Sequence, residues 1–363
     1  MKVFIKSKKS DRSQSRNAFQ KGFSLIELLI AMVIFLIVTG AIYGLMEVGR
    51  IDRNRASRRS DVLKNARVAI HLIGRDVLNA GWGYHRIGAV VPDNFNSNLL
   101  GVPPDVDGQR DLLTSMVAGD NIYTNTLNPT PGARTDMVAF VYRDVDFNGG
   151  NVIDLQGAAA VPGDATAARL TTKTAIGAAA AQPYDLFLIE SDSSQVAVMA
   201  TAVNGADTMD FAPIDPLGLN QPFNGAGVNG SLLRQCISSA DTFCTNYLAT
   251  AKRIFLVSYK VQPNGTLVRT IYGNNRGAAS AAQIRVLPLA YNVSDLQIRY
   301  VLDDGTLTSN PSVGVGWQGF NRIRQINITL TVMASENDEK TGKPEAITLN
   351  ATFSTRNMEY DAG

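Results

Sequence analysis

The chain has 363 residues, 45% of them hydrophobic, and a formal net charge of +2, enough for one large domain or two modest ones with real cores. The charge is uneven: residues 1–22 hold seven Lys/Arg against Asp11 alone, a net +6 that leaves −4 for the remainder. A basic leader on a mildly acidic body argues against nucleic acid as the main partner, and it reads as a membrane topology signal, because Lys and Arg stay on the cytoplasmic side.

Phe23 to Met46 is apolar except for Glu27, Ser24 and Thr39, with Gly40 and Gly44 as a small-xxx-small pair. As a helix this run spans about 36 Å, enough to cross a bilayer core. It is too long for a secretory signal core, and no small-x-small cleavage site follows it. The segment is therefore expected to be retained. Glu27 is the one carboxylate in the run. A carboxylate in a membrane helix costs roughly 2.5–3.5 kcal/mol at the centre and less near the interface. One turn from the start, it reads either as a tolerated interfacial residue or as the partner of a positive charge.

KGFSLIELLIAMVIF, residues 21–35, resembles the prepilin signal of type IV pilins and type II secretion pseudopilins. The resemblance implies that a membrane peptidase cuts after Gly22 and that the new N-terminus, Phe23, is methylated. It also implies that Glu27 pairs with the N-terminal amine of a neighbouring subunit during assembly. On this reading residues 1–22 are a cleaved leader, 23–80 the pilin helix, and 81–363 an extracytoplasmic β-rich head. The membrane half of the helix is 23–46 and its amphipathic half 47–80.

Beyond the apolar run, Val62, Ala66, Ala69, Ile70, Ile73 and Val77 recur at steps of three and four, the stripe of an amphipathic helix. The stretch is also basic, with Arg50, Arg53, Arg55, Arg58, Arg59, Lys64 and Arg67 against Asp52 and Asp61. It reads as a solvated face or as a surface for an anionic partner. Gly81 and Gly83 mark the expected stop. A continuous helix over 23–80 would run about 87 Å.

After Gly81 the pattern changes to period two. Strands are expected at Asp136–Arg143, Tyr184–Glu190, Gln195–Val203, Arg253–Val261, Thr266–Tyr272, Gln283–Leu289, Leu296–Leu302, Arg322–Met333 and Ala346–Ser354. Pro263-Asn264-Gly265 and Asp303-Asp304-Gly305 are expected turns. Residues 157–181, rich in Ala, Gly and Thr, and 203–250, rich in Gly, Asn and Pro, read as long surface insertions. The expected fold class is α+β: a long N-terminal transmembrane and amphipathic helix followed by a predominantly antiparallel β-sheet head with long loop insertions. The head is expected to cover the helix stripe at 62–77. Residues 66–86, ARVAIHLIGRDVLNAGWGYHR, and 293–307 with the terminal Arg356-Asn357 resemble PilW-type minor pilins.

Asp144, Asp146, Asn148 and Gly149 match the first half of a calcium loop, with Asp154 one place short of the position that should hold Glu. The same residues read equally as an Asx-rich turn. Asp105 and Asp107 form a weaker echo. Cys236 and Cys244 are the only cysteines. Outside the cytoplasm they are expected to form a disulfide across a short loop, worth roughly 2–3 kcal/mol in the chain-entropy model; the other reading is two free thiols. His71 and His85 are the only histidines, with no nucleophile or Gly-rich phosphate loop in a supporting context. The chain is expected not to be an enzyme and to need no cofactor apart from the possible calcium.

The pilin resemblance implies a minor pilin of a type IV pilus acting in assembly or priming. Its partners would be other pilins and minor pilins in a filament, prepilin peptidase and inner-membrane lipid, with no nucleic acid. It would be single-pass in the inner membrane, N-terminus cytoplasmic and head periplasmic, before joining the filament on the cell surface. The alternatives are a type II secretion minor pseudopilin similar to GspJ, or a tip-exposed adhesin or ligand-binding module.

Overall fold

The computed structural model describes residues 22–104, 108–175, 181–191, 194–225, 249–311, 320, 322–338 and 341–358. The chain divides into two compact units, residues 1–56 and 57–363. Residues 22–24 and the first part of helix α1 (Leu25–Asn79) make up the described part of the first unit, and the helix continues into the second.

The β-rich unit begins its strands with β1 (Ala89–Val91), a short helix α2 (Phe95–Leu100), β2 (Asp111–Leu113), β3 (Met116–Thr124) and β4 (Arg134–Arg143). β5 (Ile153–Val161), β6 (Asp164–Thr172), β7 (Leu186–Glu190), β8 (Gln195–Met199), β9 (Ala202–Asn204) and β10 (Thr208–Phe211) follow. Then come β11 (Thr250–Val261), β12 (Leu267–Tyr272), β13 (Ile284–Ala290), β14 (Val293–Leu302), β15 (Leu307–Thr308), β16 (Ile323–Asn337) and β17 (Pro344–Ser354). The first thirteen form one sheet and the last four a second, in the order β15-β14-β16-β17. Pairing is antiparallel throughout except between β1 and β8. The architecture is thus a long, apolar N-terminal helix followed by a mostly antiparallel β domain.

β11 organises the large sheet. Its first residues, Thr250 to Arg253, pair with β7, and Thr250 and Ala251 also with β5; Ile254 onward pairs with β4, and Leu256 onward with β12. The β11–β12 turn is the expected one: Gly265 has φ 76°, its N–H donates to Gln262 O at 2.9 Å, and Asn264 Oδ1 accepts from Thr266 N–H at 3.0 Å.

One core joins the helix to both sheets. Ala66, Ala69, Ile73, Val77 and Ala80 bury against Phe140, Val257 and Tyr259 of the large sheet and Ile326, Ile328 and Leu330 of the small one. This is the stripe read from the sequence, and the alternation of β16 supplies its cover. At Gly74 a methyl group would overlap the Phe353 ring, so the missing side chain lets β17 approach the helix. α1 ends where Gly81 enters the left-handed region at φ 78°, and Asn357 Nδ2 caps the orphan Leu78 carbonyl at 2.6 Å.

Three expectations need correction. Residues 157–181 are not simply an insertion: β5 and β6 form an antiparallel hairpin whose Leu155, Ala158, Ala168 and Leu170 enter a second core with Phe187 and Phe211. Small alanines bury there without the bulk that makes alternation visible. Within 203–250, β10 pairs with β6 and with β9; residues 226–248 lie outside the described residues. The expected strand Gln195–Val203 is broken after Met199, because Thr201 N–H turns to donate to Asp210 O at 2.7 Å.

Candidate functional site

In the first unit, Phe23 is 84% exposed, and every large apolar side chain from Leu25 to Val48 is at least half exposed. Fully burying such a side chain is worth about 1.5–3 kcal/mol, so a helix greasy on all sides is unstable in water without a cover. Among the described residues this is the one helix long and apolar enough to cross a membrane. Its start shows the glutamate half of a capping box. The Ser24 N–H donates to Glu27 Oε2 at 3.1 Å, and Leu28 N–H donates to Ser24 O at 3.2 Å. The Glu27 carboxylate thus sits in the first turn, bound to a backbone donor that the helix leaves unsatisfied.

In the second unit the helix is fixed by a buried polar network missed in the sequence. Asp76, fully buried, accepts from Arg269 Nε at 2.8 Å and from the Tyr259 hydroxyl at 2.6 Å, both on Oδ2. The Tyr142 hydroxyl donates to its Oδ1 at 3.4 Å. Burial and the Asp76 charge push the Tyr142 hydroxyl up to about 12 and raise that of Tyr259 further. Burial pulls Arg269 down, but the charge and hydrogen bond of Asp76, together with Tyr259 and Tyr142, outweigh it and its pKa is raised. The signal in the sequence is Asp76 itself, a carboxylate three residues past Ile73, on the edge of an apolar stripe. Earlier along the helix, Arg58 Nη1 donates to Asn337 O at 2.9 Å, and Arg59 lies 3.9 Å from Glu345. Part of the basic stretch is therefore paired with the β16–β17 hairpin.

The expected calcium residues are distributed otherwise. Asp144 is buried and pairs with Arg253, whose Nε donates to Oδ2 at 2.8 Å. That guanidinium also lies over the Phe147 ring, 4.7 Å from its centroid. Asp144 Oδ1 accepts from Asp146 N–H at 3.0 Å, an Asx turn. Asn148 takes the left-handed conformation at φ 54° and its Nδ2 donates to Val152 O at 3.4 Å. Asp154 lies exposed on β5. Among the described residues no group of three or more His, Cys, Asp or Glu side chains is placed to hold a metal. Cys236, Cys244, Asp105 and Asp107 lie outside the described residues. His71 is exposed on the helix, and His85 Nδ1 accepts from Ile87 N–H at 3.3 Å.

Residues 17–43 match the family model described as the prokaryotic N-terminal methylation motif. No curated protein matches the chain. The motif match, on a helix fit to be a single-pass anchor, supports a type IV pilin-like or pseudopilin-like prepilin and implies assembly with other pilins and processing by prepilin peptidase.

Proposed function

We propose that the chain is a minor pilin of a type IV pilus, a structural subunit with no catalytic role. Prepilin peptidase cleaves it after Gly22, Phe23 is then methylated, and Glu27 pairs with the N-terminal amine of a neighbouring subunit. The leader stays cytoplasmic and the β-rich unit enters the periplasm, following the charge of residues 1–22. The observation that carries this reading is the methylation motif on an apolar helix that continues, in one element, into the core stripe of a β domain. A PilW-type subunit is supported by two of the stretches that resemble that type. The helix end and the terminal Asn357 meet, Asn357 bonding the Leu78 carbonyl and closing over Gly81.

The test is mass spectrometry of the N-terminus after extraction from membranes, together with immunoblotting of sheared filaments. A methylated Phe23 terminus and protein in the filament fraction support the proposal. An intact leader overturns the processing. A processed protein found only in the membrane, whose deletion blocks protein secretion and leaves pili intact, transfers it to the type II secretion pseudopilins.

A further inference from the structure

Where α1 ends, a cavity of about 350 Å³ opens between the helix terminus, β4 and β11. Asn79, Trp82, Tyr142, Arg143, Asp146 and Phe255 line it, with Val145 and the Asp144 carboxylate that Arg253 holds. Three of the eight are aromatic. Tyr142 and Phe255 lie 5.5 Å apart at 47°, and Trp82 is 52% exposed although its backbone is fixed. Arg143 N–H donates to Trp82 O at 2.8 Å. Gly83 at φ 59° leaves room for the Arg143 side chain, whose Cδ would lie 2.9 Å from any Cβ there. Arg143 Nη2 is held by Gly150 O at 2.7 Å. Asp146 is held through its backbone by Asp144, and its exposed carboxylate has no partner among the described residues.

We infer that this cavity binds a neutral sugar ring, stacked on Trp82 and hydrogen-bonded by Asp146, Arg143 and Asn79. Three properties select that class. Of the two carboxylates in the lining, Asp144 is neutralised by Arg253 and Asp146 offsets the Arg143 guanidinium, so the cavity favours neither an anion nor a cation. Acceptor and donor groups face it together, which suits hydroxyls that both give and receive hydrogen bonds. The aromatic wall suits the C–H face of a pyranose, and the volume lies within the range of small-molecule sites. An apolar side chain from a neighbouring subunit would fit the aromatic wall equally well. It would, however, bury Asp146 and Asn79 without partners, which is costly. The site goes beyond the assembly role proposed above and is independent of it.

The experiment is a fluorescence titration of the full-length protein in detergent micelles with cellobiose, N,N′-diacetylchitobiose and lactose. Trp82 is one of two tryptophans, the other being Trp317. The expected result is a saturable change in emission with at least one disaccharide, with a dissociation constant on the order of 1 mM, as suits a small open site. Trp82→Ala should abolish it, and Asp146→Ala, an exposed position, should weaken it at least tenfold at unchanged melting temperature. No saturable change with any of the three sugars overturns the inference. So does a change that survives in Trp82→Ala, or saturable binding of N-acetylphenylalaninamide where the sugars fail.

Discussion

Asp76 and Arg269 are 193 residues apart in sequence and 2.8 Å apart in space, and their charges meet where the helix lies on the β domain. Asp76 is fully buried and the Arg269 side chain is 11% exposed. Each carries a desolvation cost that the other's charge offsets, with the Tyr259 hydroxyl bonded to both. Removing one should therefore cost more than removing both. Asp76→Ala is expected to destabilise the β-rich unit by about 3–5 kcal/mol, since it strands a buried guanidinium and the Tyr259 hydroxyl. The double variant Asp76→Leu with Arg269→Met should recover much of that loss. Urea denaturation of the four members of the cycle measures the coupling; additive losses would mean that the two groups act independently.

Gly74 predicts the reverse of helix propensity. Alanine is preferred over glycine inside a helix by about 1 kcal/mol. At this position the added methyl meets the Phe353 ring. Overpacking a core costs about 1–3 kcal/mol, so Gly74→Ala should lower the melting temperature. Combining it with Phe353→Leu should restore part of the loss. A Gly74→Ala protein as stable as the parent would show that β17 can draw back freely.

Asp136 makes stability depend on pH. It joins the two sheets: Oδ1 accepts from Asn121 N–H at 2.8 Å and Oδ2 from Ile298 N–H at 2.6 Å. Burial raises its pKa from 3.8 to about 6, against the pull of those two donors and with a push from Asp120 and Asp295. The folded state therefore holds this proton more tightly than the unfolded chain does. The stabilisation is complete below about pH 3.8 and is lost as pH rises through about 6. The shift is worth on the order of 3 kcal/mol. Asp136→Asn, neutral at every pH, should flatten the fall in melting temperature between about pH 4 and 7. Part of the slope should survive, because burial also raises Asp215. Parallel curves for parent and variant would remove Asp136 from the account.

What can be read from the sequence divides along physical lines. The membrane run is legible because a long apolar stretch with one carboxylate is rare, and the stripe from Ala66 to Val77 because helix periodicity is local. β16 and β17 are legible because Ile, Leu and Val alternate there with Asn and Thr. The β5–β6 hairpin is hidden because Ala158 and Ala168 bury with little side chain to mark them. The Asp76–Arg269 pair and the Trp82 cavity are hidden for a different reason. Each is assembled from segments far apart in sequence, and no one-dimensional pattern records the meeting. The acidic run at 144–154 reads as a candidate metal loop because its spacing says nothing of Arg253, more than a hundred residues away.

Asp144 gives that loop a direct test. Its carboxylate is a partner of Arg253, so Asp144→Asn should destabilise the protein by about 1.5–3 kcal/mol, the range for hydrogen bonds to charged groups. The loss should be equal in EDTA and in millimolar calcium. A calcium-dependent rise in the melting temperature of the parent, absent in Asp146→Ala, would instead return the loop to metal binding.

Glu27 has an observed contact at the helix start and a proposed role in assembly, and Glu27→Ala alone cannot separate them. Its carboxylate accepts from the Ser24 N–H at the helix start, and the proposed assembly role uses the same group as a charge. Glu27→Ala removes both. Glu27→Gln keeps an oxygen that can accept from Ser24, since Gln serves in a capping box as Glu does, but it removes the charge. Neither variant should impede insertion, because loss of a carboxylate from an apolar run lowers the cost of entering the bilayer. Neither touches the β-rich core, so its melting transition should stay in place. Both are expected to be cleaved after Gly22 and to remain in the membrane. They should enter sheared filaments poorly, because neither can form the ion-paired bond to a neighbour's amine. Such a bond can fix register between helices even when desolvation consumes much of its strength. Normal incorporation of Glu27→Gln beside a defective Glu27→Ala would assign the residue to the helix cap, and normal incorporation of both would leave it a tolerated interfacial carboxylate.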